Sequence, residues 1–359
     1  MNESRPGPAT IYAVAERAGV SIATVSRVLQ GTNPVSGPTR ERVLEAARAL
    51  DYLPHGSARA LAAKKHEAVG LMVPELTGPY FAELLVGFEL AAAERGLSVA
   101  MLMTEEHGLS RPLRQLAARV DGLAIMTRPN QLETGEIESL ARRLPVVMVA
   151  SGPSRNAIST ENVTSAQELT EHLFAHGRRR LVFVGDPDLA PDAAERFAGF
   201  AATHTAAGLS TPEPTRIGFA EDDGRRYVRH LAGISREDWP DALVCVNDEV
   251  AVAALDELQR AGVVIPDDMA ITGWDDVMTA RYTRPRLTTV AQPVRDLGRL
   301  AATTLTQIIA DGTPAAGPSI LPTRIVLRGS CGCQDTWQSQ PTEPGLPLRG
   351  RAGLTKEKE

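Results

Sequence analysis

Two short apolar stripes open the chain. Ile11, Val14, Ala15 and Ala18 recur at helical spacing, and Val25, Val28 and Leu29 repeat the pattern after Gly19-Val20 and Ser21. Glycine permits a tight turn and serine can cap the helix that follows, so the pattern predicts a helix-turn-helix with one small shared core. A third stripe, Val43, Leu44, Ala47 and Leu50, follows the capping sequence Ser36-Gly-Pro-Thr39 and predicts a helix from Arg40 to Leu50. The stretch from Gly56 to Lys65 is rich in helix formers but too short and too sparsely apolar to stand alone. It reads as a hinge that becomes helical when something holds it.

From Ala68 the period changes. Apolar runs at Val69–Val73, Ser98–Leu102, Gly122–Met126, Val146–Val149, Leu181–Val184, Leu243–Val246 and Met269–Thr272 alternate with amphipathic helical stretches. That is a β-α-β series, which gives parallel sheets covered by helices. The pattern restarts after Ala150, which predicts two similar halves with a cleft between them. Ligands of such sheets sit at the carboxyl ends of the strands.

With 359 residues, 43% of them hydrophobic, the chain can bury a large core beyond its small head. Through His66 there are nine Lys/Arg against five Asp/Glu, a net +4, whereas the remainder carries −10 of the total −6. The basic end therefore coincides with the helix-turn-helix. No run approaches the roughly 20 apolar residues of a membrane span, and the amino terminus has no apolar signal segment, so a cytoplasmic chain is expected. Three cysteines, with Cys245 inside an apolar run, suit a reducing compartment. His172 and His176 stand four apart on a helical stretch, but no third ligand with suitable spacing is evident and Cys331-Gly-Cys333 is tighter than the usual Cys-x-x-Cys. Neither a metal nor a cofactor is expected. Phosphate-binding glycine loops, nucleophile elbows and His-Glu-x-x-His are missing, which argues against an enzyme. From about Gln334 the composition turns to Pro, Gly, Gln and charge, as in a disordered tail.

The second helix presents Ile22, Ala23, Ser26 and Arg27 away from the small core, with Ser21 and Thr24 beside them. A guanidinium, hydroxyls and small apolar groups suit base edges, thymine methyls and phosphates. Together with Tyr12, the run from Ala18 to Leu29, Val35-Ser36, Thr39-Arg40, Leu50-x-Tyr-x-Pro54 and Ala60-Leu61-Ala62, these residues resemble the lactose-repressor (LacI/GalR) family of bacterial transcription factors. The resemblance runs from about Thr10 to about Arg328. It implies an all-α helix-turn-helix DNA-binding domain at 1–54, a hinge helix at 55–66, and a periplasmic-binding-protein-like α/β core of two parallel-sheet subdomains at 67–333, followed by the tail at 334–359. It further implies a homodimer on a palindromic operator in double-stranded DNA, with affinity set allosterically by a small-molecule effector, most often a sugar. By the same resemblance Ile22, Ala23 and Arg27 take base-reading positions, and Tyr12, Ser21, Thr24, Ser26, Ser36 and Thr39 touch phosphates or steady the helices. Ala58, Leu61 and Ala62 lie in the minor groove, with Leu61 as the wedge. His55 departs from a frequent asparagine.

The strand ends supply candidate effector contacts. Asn247-Asp248, Trp274-Asp275-Asp276 and Gln292 each follow an apolar run, Arg196 stands in Glu195-Arg-Phe-Ala-Gly199, and Pro79-Tyr80-Phe81 follows the first strand. Planar amide, carboxylate and guanidinium groups beside aromatic faces suit a polyhydroxylated ligand. The resemblance places Tyr80, Phe81, Arg196, Phe219, Asn247, Asp275 and Gln292 at the effector pocket, with Arg196, Asn247 and Asp275 as polar anchors. Only one of Tyr80 and Phe81 is expected to reach the ligand. Alanine at 150 and Glu161-Asn162 depart from the frequent Asp and Asp-Asn. A solute-binding protein of the same core fold is the alternative, though it would need an export signal and has no use for the first ~60 residues.

Overall fold

The computed structural model describes residues 9–30, 35–52, 65–104, 110–129, 132, 134–151, 154–314 and 317–334. The expected contacts of Ala58, Leu61 and Ala62, His55, and the tail beyond Gln334 lie outside the described residues.

The head consists of α1 (Ile11–Ala18), α2 (Ile22–Gln30) and α3 (Gly37–Ala49). Thr10 caps α1 by accepting from the Ala13 N–H at 3.3 Å, and Gly19 ends it in the left-handed region at φ 64°. Ser21 accepts from the Thr24 N–H at 3.2 Å, the capping bond expected of it. Val14, Val25 and Val43, one from each helix, are fully buried at the centre of the small core. The third helix begins at Gly37 rather than Arg40, because Pro38 fits the first turn. Ser36 holds the N-cap position but donates to Thr39 Oγ1 at 2.9 Å and makes no side-chain cap.

The core begins with six parallel strands in the order β10-β5-β4-β3-β1-β2. They are β1 (Ala68–Val73), β2 (Ser98–Met103), β3 (Leu123–Ile125), β4 (Val146–Val149), β5 (Ala157–Thr160) and, from much later in the chain, β10 (Ser319–Leu321). Helices α4 (Gly78–Ala93), α5 (Ser110–Ala117) and α6 (Thr134–Ala141) connect them. Apolar clusters lie on both faces, which explains why β1, β3 and β4 read as continuous apolar runs. The edge strand β2 instead leaves Met101 and Met103 exposed.

The second lobe holds α7 (Val163–Ala175), β6 (Leu181–Val184), α8 (Pro191–Ala206), α9 (Glu221–Leu231), β7 (Ala242–Cys245), α10 (Asp248–Arg260) and β8 (Ala270–Thr272), with parallel order β6-β7-β8. Strand β9 (Thr289–Ala291) then pairs antiparallel with β11 (Arg324–Val326). Between them, α11 (Val294–Asp311) and β10 return to the first lobe. The two halves are therefore not consecutive. The second starts after Thr160 rather than Ala150, and the chain crosses between lobes three times.

The return is sealed where α11 meets α4. A Cβ on Gly298 would lie 2.1 Å from the Leu84 carbonyl oxygen, and one on Gly87 would lie 1.9 Å from the Arg295 carbonyl oxygen. Backbone touches backbone on both sides, so no side chain can yield. Gly298→Val is expected to force the helices apart and cost about 3 kcal/mol. Chemical denaturation checks this, and a loss below about 1 kcal/mol would contradict the close crossing.

Candidate functional site

On the head, most of the side chains expected to read DNA are at the surface. Ile22, Ala23 and Arg27 are exposed on α2, Ser21 and Tyr12 are exposed beside them, and Thr24 and Ser26 are half-buried. Ser21 and Thr24 hydroxyls meet at 2.9 Å, which fixes both at the start of α2. Ser36 and Thr39 form a second hydroxyl pair at the start of α3.

Between the lobes lies a cavity of about 450 Å³. It is built as the strand-end rule requires. Tyr80 and Phe81 come from the first turn of α4 after β1, Arg128 from the loop after β3, Asn247 and Glu249 from the start of α10 after β7, and Asp275 from the loop after β8. Asp192 and Arg196 enter from α8 and Phe219 from the loop before α9. Six of the seven sequence-predicted effector residues line this cavity. Both Tyr80 and Phe81 reach it, with their rings edge to face at 5.3 Å, where only one was expected.

Gln292 is the exception. It is buried behind Asp275, donating to Asp275 Oδ1 while it accepts from the Thr160 hydroxyl. Since Thr160 belongs to the first lobe and Asp275 to the second, Gln292 ties the lobes and holds a carboxylate that lines the cavity. Asn247 lines the cavity but is also a helix cap, accepting from the Val250 N–H at 3.0 Å and donating to the Phe219 carbonyl at 2.9 Å. Its amide thus holds the Phe219 loop in place.

Arg196 is immobilised. Its Nε donates to Asn162 Oδ1 at 3.0 Å, its Nη1 to the Val246 carbonyl at 2.7 Å, its Nη2 stands 3.8 Å from Asp192, and its plane lies 4.6 Å from the Trp274 ring centroid. Asn162 also donates to Glu195 and to the Thr160 carbonyl. Asp275 sits at φ 115°, a backbone conformation that aspartate seldom takes, and this turns its carboxylate into the cleft.

Burial raises the Asp275 carboxyl to about 8, with Arg196 pulling it down and Glu249 pushing it up. Asp192 is raised to about 6, again by burial first, against the pull of Arg196. The Tyr80 hydroxyl is raised well above its ordinary value by burial and by Asp192 and Asp275, so it remains a proton donor. Arg128, missed in the sequence, pairs with Glu75 and lies 5.3 Å over the Phe219 ring, spanning the cleft. Glu249 was missed as well. It lies against Gly78 at the start of α4, and its Oε2 is buried without a hydrogen-bond partner. Both follow strands, so the rule that selected Asp275 would have selected them.

A second cluster corrects the reading that His172 and His176 lack further ligands. Cys331 and Cys333 are brought against them, and the donor atoms of all four lie within 4.8 Å of one another.

Comparison with known proteins follows this division. Residues 10–55 match the family model for bacterial regulatory proteins of the lacI family, and residues 170–331 match a periplasmic binding protein-like domain. The HTH-type transcriptional repressor PurR of Haemophilus influenzae (strain PittEE) is 32% identical over 309 residues, covering 84% of this chain and 91% of that protein. Catabolite control protein A of Priestia megaterium is 31% identical over 332 residues, covering 89% and 98%. Among solved structures, the lac repressor dimer bound to operator and the anti-inducer ONPF superposes with TM-score 0.81 at 26% identity, over 90% of this chain and 99% of that one. The complex of transcriptional regulator CelR with cellobiose gives 0.68 at 27%, over 91% and 100%. No helix among the described residues is long and apolar enough to cross a membrane. The chain belongs to the LacI family of bacterial DNA-binding transcriptional regulators.

Proposed function

We propose that this chain is a cytoplasmic, non-enzymatic repressor that binds a palindromic operator as a homodimer and releases or grips it when a neutral sugar enters the cleft. The cleft lining carries this reading. Six carboxylates, Glu75, Asp192, Glu221, Asp223, Glu249 and Asp275, face two guanidiniums, Arg128 and Arg196. Glu75 is paired with Arg128, while Asp223 and Glu221 are paired with Arg226 and Arg225. The paired charges cancel and burial raises the Asp275 and Glu249 carboxyls, so the cleft has no excess positive charge to hold a phosphate, while Asp275 and Glu249 offer acceptors for hydroxyl groups and the Tyr80, Phe81 and Phe219 rings offer faces for C–H groups. The cellobiose-bound relative supports a carbohydrate in a core of this shape.

The same reading assigns base contacts to Ile22, Ala23 and Arg27, phosphate and helix contacts to Tyr12, Ser21, Thr24, Ser26, Ser36 and Thr39, and minor-groove contacts to Ala58, Leu61 and Ala62. It keeps 1–54, 55–66, 67–333 and 334–359 as head, hinge, core and tail. Val86 and Leu90 of α4 and Met101 and Met103 of the edge strand β2 are exposed apolar side chains available to a second copy. Ligand between the lobes changes how they close, which shifts the hinges at the dimer axis. Operator affinity and effector affinity must then change by the same factor.

Two measurements test this. A thermal-shift screen against neutral sugars, sugar phosphates and nucleobases should respond to a neutral sugar, since a ligand at 100 times its Kd adds about 2.7 kcal/mol. A response to a sugar phosphate or a nucleobase alone would overturn the ligand class. In the second, Arg27→Ala should relax base preference at one position per half-site, by about 1–3 kcal/mol, in a binding-site selection. Unchanged preference would remove Arg27 from the readout.

A further inference from the structure

His172 lies in the last turn of α7 and His176 is its C-cap residue, so four-residue spacing puts both rings on one side, with centroids 4.6 Å apart. Cys331 closes the short helical turn Gly329–Cys331 that follows β11, and Cys333 comes two residues later. Gly332 between them has φ 109°, and a Cβ there would stand 3.1 Å from His176 Nδ1. Glycine is thus what lets the tripeptide wrap both sulfurs towards the two rings.

The contacts are specific. His172 Nε2 is 3.3 Å from Cys331 Sγ and 3.5 Å from Cys333 Sγ, and His176 Nε2 is 3.4 Å from Cys333 Sγ. Each imidazole turns the same nitrogen inward. Tetrahedral zinc with Zn–N bonds of about 2.0–2.1 Å and Zn–S bonds of about 2.3 Å requires sulfur-to-nitrogen edges of about 3.6 Å and a sulfur-to-sulfur edge of about 3.8 Å. These three of the four sulfur-to-nitrogen separations fall within about 0.3 Å of that edge, and all four donor atoms lie within 4.8 Å of one another. Thr288 Oγ1, 3.1 Å from Cys331 Sγ, supplies an outer hydrogen bond of the kind that fixes a thiolate ligand.

We propose that His172, His176, Cys331 and Cys333 form a structural zinc site that staples the end of the core to α7. Two thiolates and two imidazoles fill four positions, so the site is closed and has no place for a substrate. Binding one Zn²⁺ releases two protons, one from each thiol, and the donor set excludes magnesium and calcium. The metal joins segments some 155 residues apart, which makes it a fastener for the second lobe and is independent of what the cleft binds.

The test uses the full chain, purified under reducing conditions from zinc-supplemented culture and dialysed into metal-free buffer. About one zinc per chain is expected by elemental analysis, and zinc should raise the melting temperature. Cobalt in its place should give thiolate-to-metal charge transfer and the strong visible bands of tetrahedral Co²⁺. His176→Ala and Cys333→Ser change side chains outside the buried core, and both should lose at least ten-fold in zinc affinity while keeping the wild-type far-ultraviolet spectrum. Less than 0.1 zinc per chain in the reconstituted wild type would overturn the proposal. So would a cobalt spectrum without sulfur ligation, zinc binding unchanged by both substitutions, or a Cys331–Cys333 disulfide that persists in reductant. The cobalt spectrum of the wild type decides the matter even where a variant folds poorly.

Discussion

Replacing Asp275 by asparagine is expected to make the ligand-free protein more stable at pH 8, much less so at pH 5, and poorly responsive to its effector. Burial raises the Asp275 carboxyl to about 8, far above its value in an unfolded chain. A carboxyl with a raised folded value holds its proton more tightly in the native state, so its contribution to stability is intact at low pH. That contribution is lost progressively as pH rises from about 4 towards 8. Between pH 5 and pH 8 the loss is on the order of 3 kcal/mol, which asparagine, lacking a proton to lose, avoids. The advantage of Asp275→Asn in melting temperature should therefore shrink by roughly 6–12 °C between pH 8 and pH 5. Asparagine also accepts the Gln292 hydrogen bond and tolerates positive φ, so the loop geometry survives. The sugar that shifts the wild type should bind the variant about 10–100-fold more weakly, because charge-assisted hydrogen bonds to the carboxylate are gone. Wild-type affinity should climb from pH 6 to pH 8 and that of the variant climb much less, since only Asp192 still titrates there. A variant that is no more stable at pH 8, or that binds sugar normally, would remove Asp275 from the cleft's chemistry.

That instability is the cost of burying a carboxylate beside the cleft, a position that a single sequence read locally can suggest only by its place after a strand. Local rules located the head, since Gly19, Ser21 and the stripes through Val14, Val25 and Val43 act within a few residues of each other. They located the buried strands because parallel strands covered on both faces must be apolar throughout. The strands β10 and β11 are three residues each and only partly buried, so they carry no apolar run, and with them went the later crossings between lobes. Asn247 and Asp275 followed from strand ends, whereas Arg196 stands inside α8 and was picked out by its local motif and the family resemblance. The same local rule could not tell that Gln292 stands one layer back, since its partner Thr160 is 132 positions away. Nor could spacing join His172 and His176 to a Cys-Gly-Cys that reaches them only after β11 has paired with β9.

Arg196→Met should be the most damaging single change in the cleft, and its damage should grow with pH. Methionine fills much of the same volume beside Trp274 but supplies no donors, so Asn162 Oδ1 and the Val246 carbonyl lose their partners and Asp192 loses its counter-charge. Removing one member of a buried ionic pair costs about 3–5 kcal/mol, most of it from the charge left behind. Asp192 already titrates near 6 with Arg196 helping to keep it ionised, and Asp275 near 8 under the same pull. Without the guanidinium both carboxyls rise further. At pH 5 they are protonated and the variant loses mainly hydrogen bonds, whereas at pH 8 each must either hold an unfavourable charge or bind a proton against the solution. The stability deficit measured by denaturant unfolding should therefore be larger at pH 8 than at pH 5. Adding Asp192→Asn to the variant should recover part of the deficit at pH 8 and little at pH 5. Arg196→Lys should fall between, since an ammonium keeps the charge but cannot reach Asn162 and the Val246 carbonyl as a planar fork. Equal deficits at both pH values, with no recovery from Asp192→Asn, would show that Arg196 serves the fold through packing on Trp274 alone.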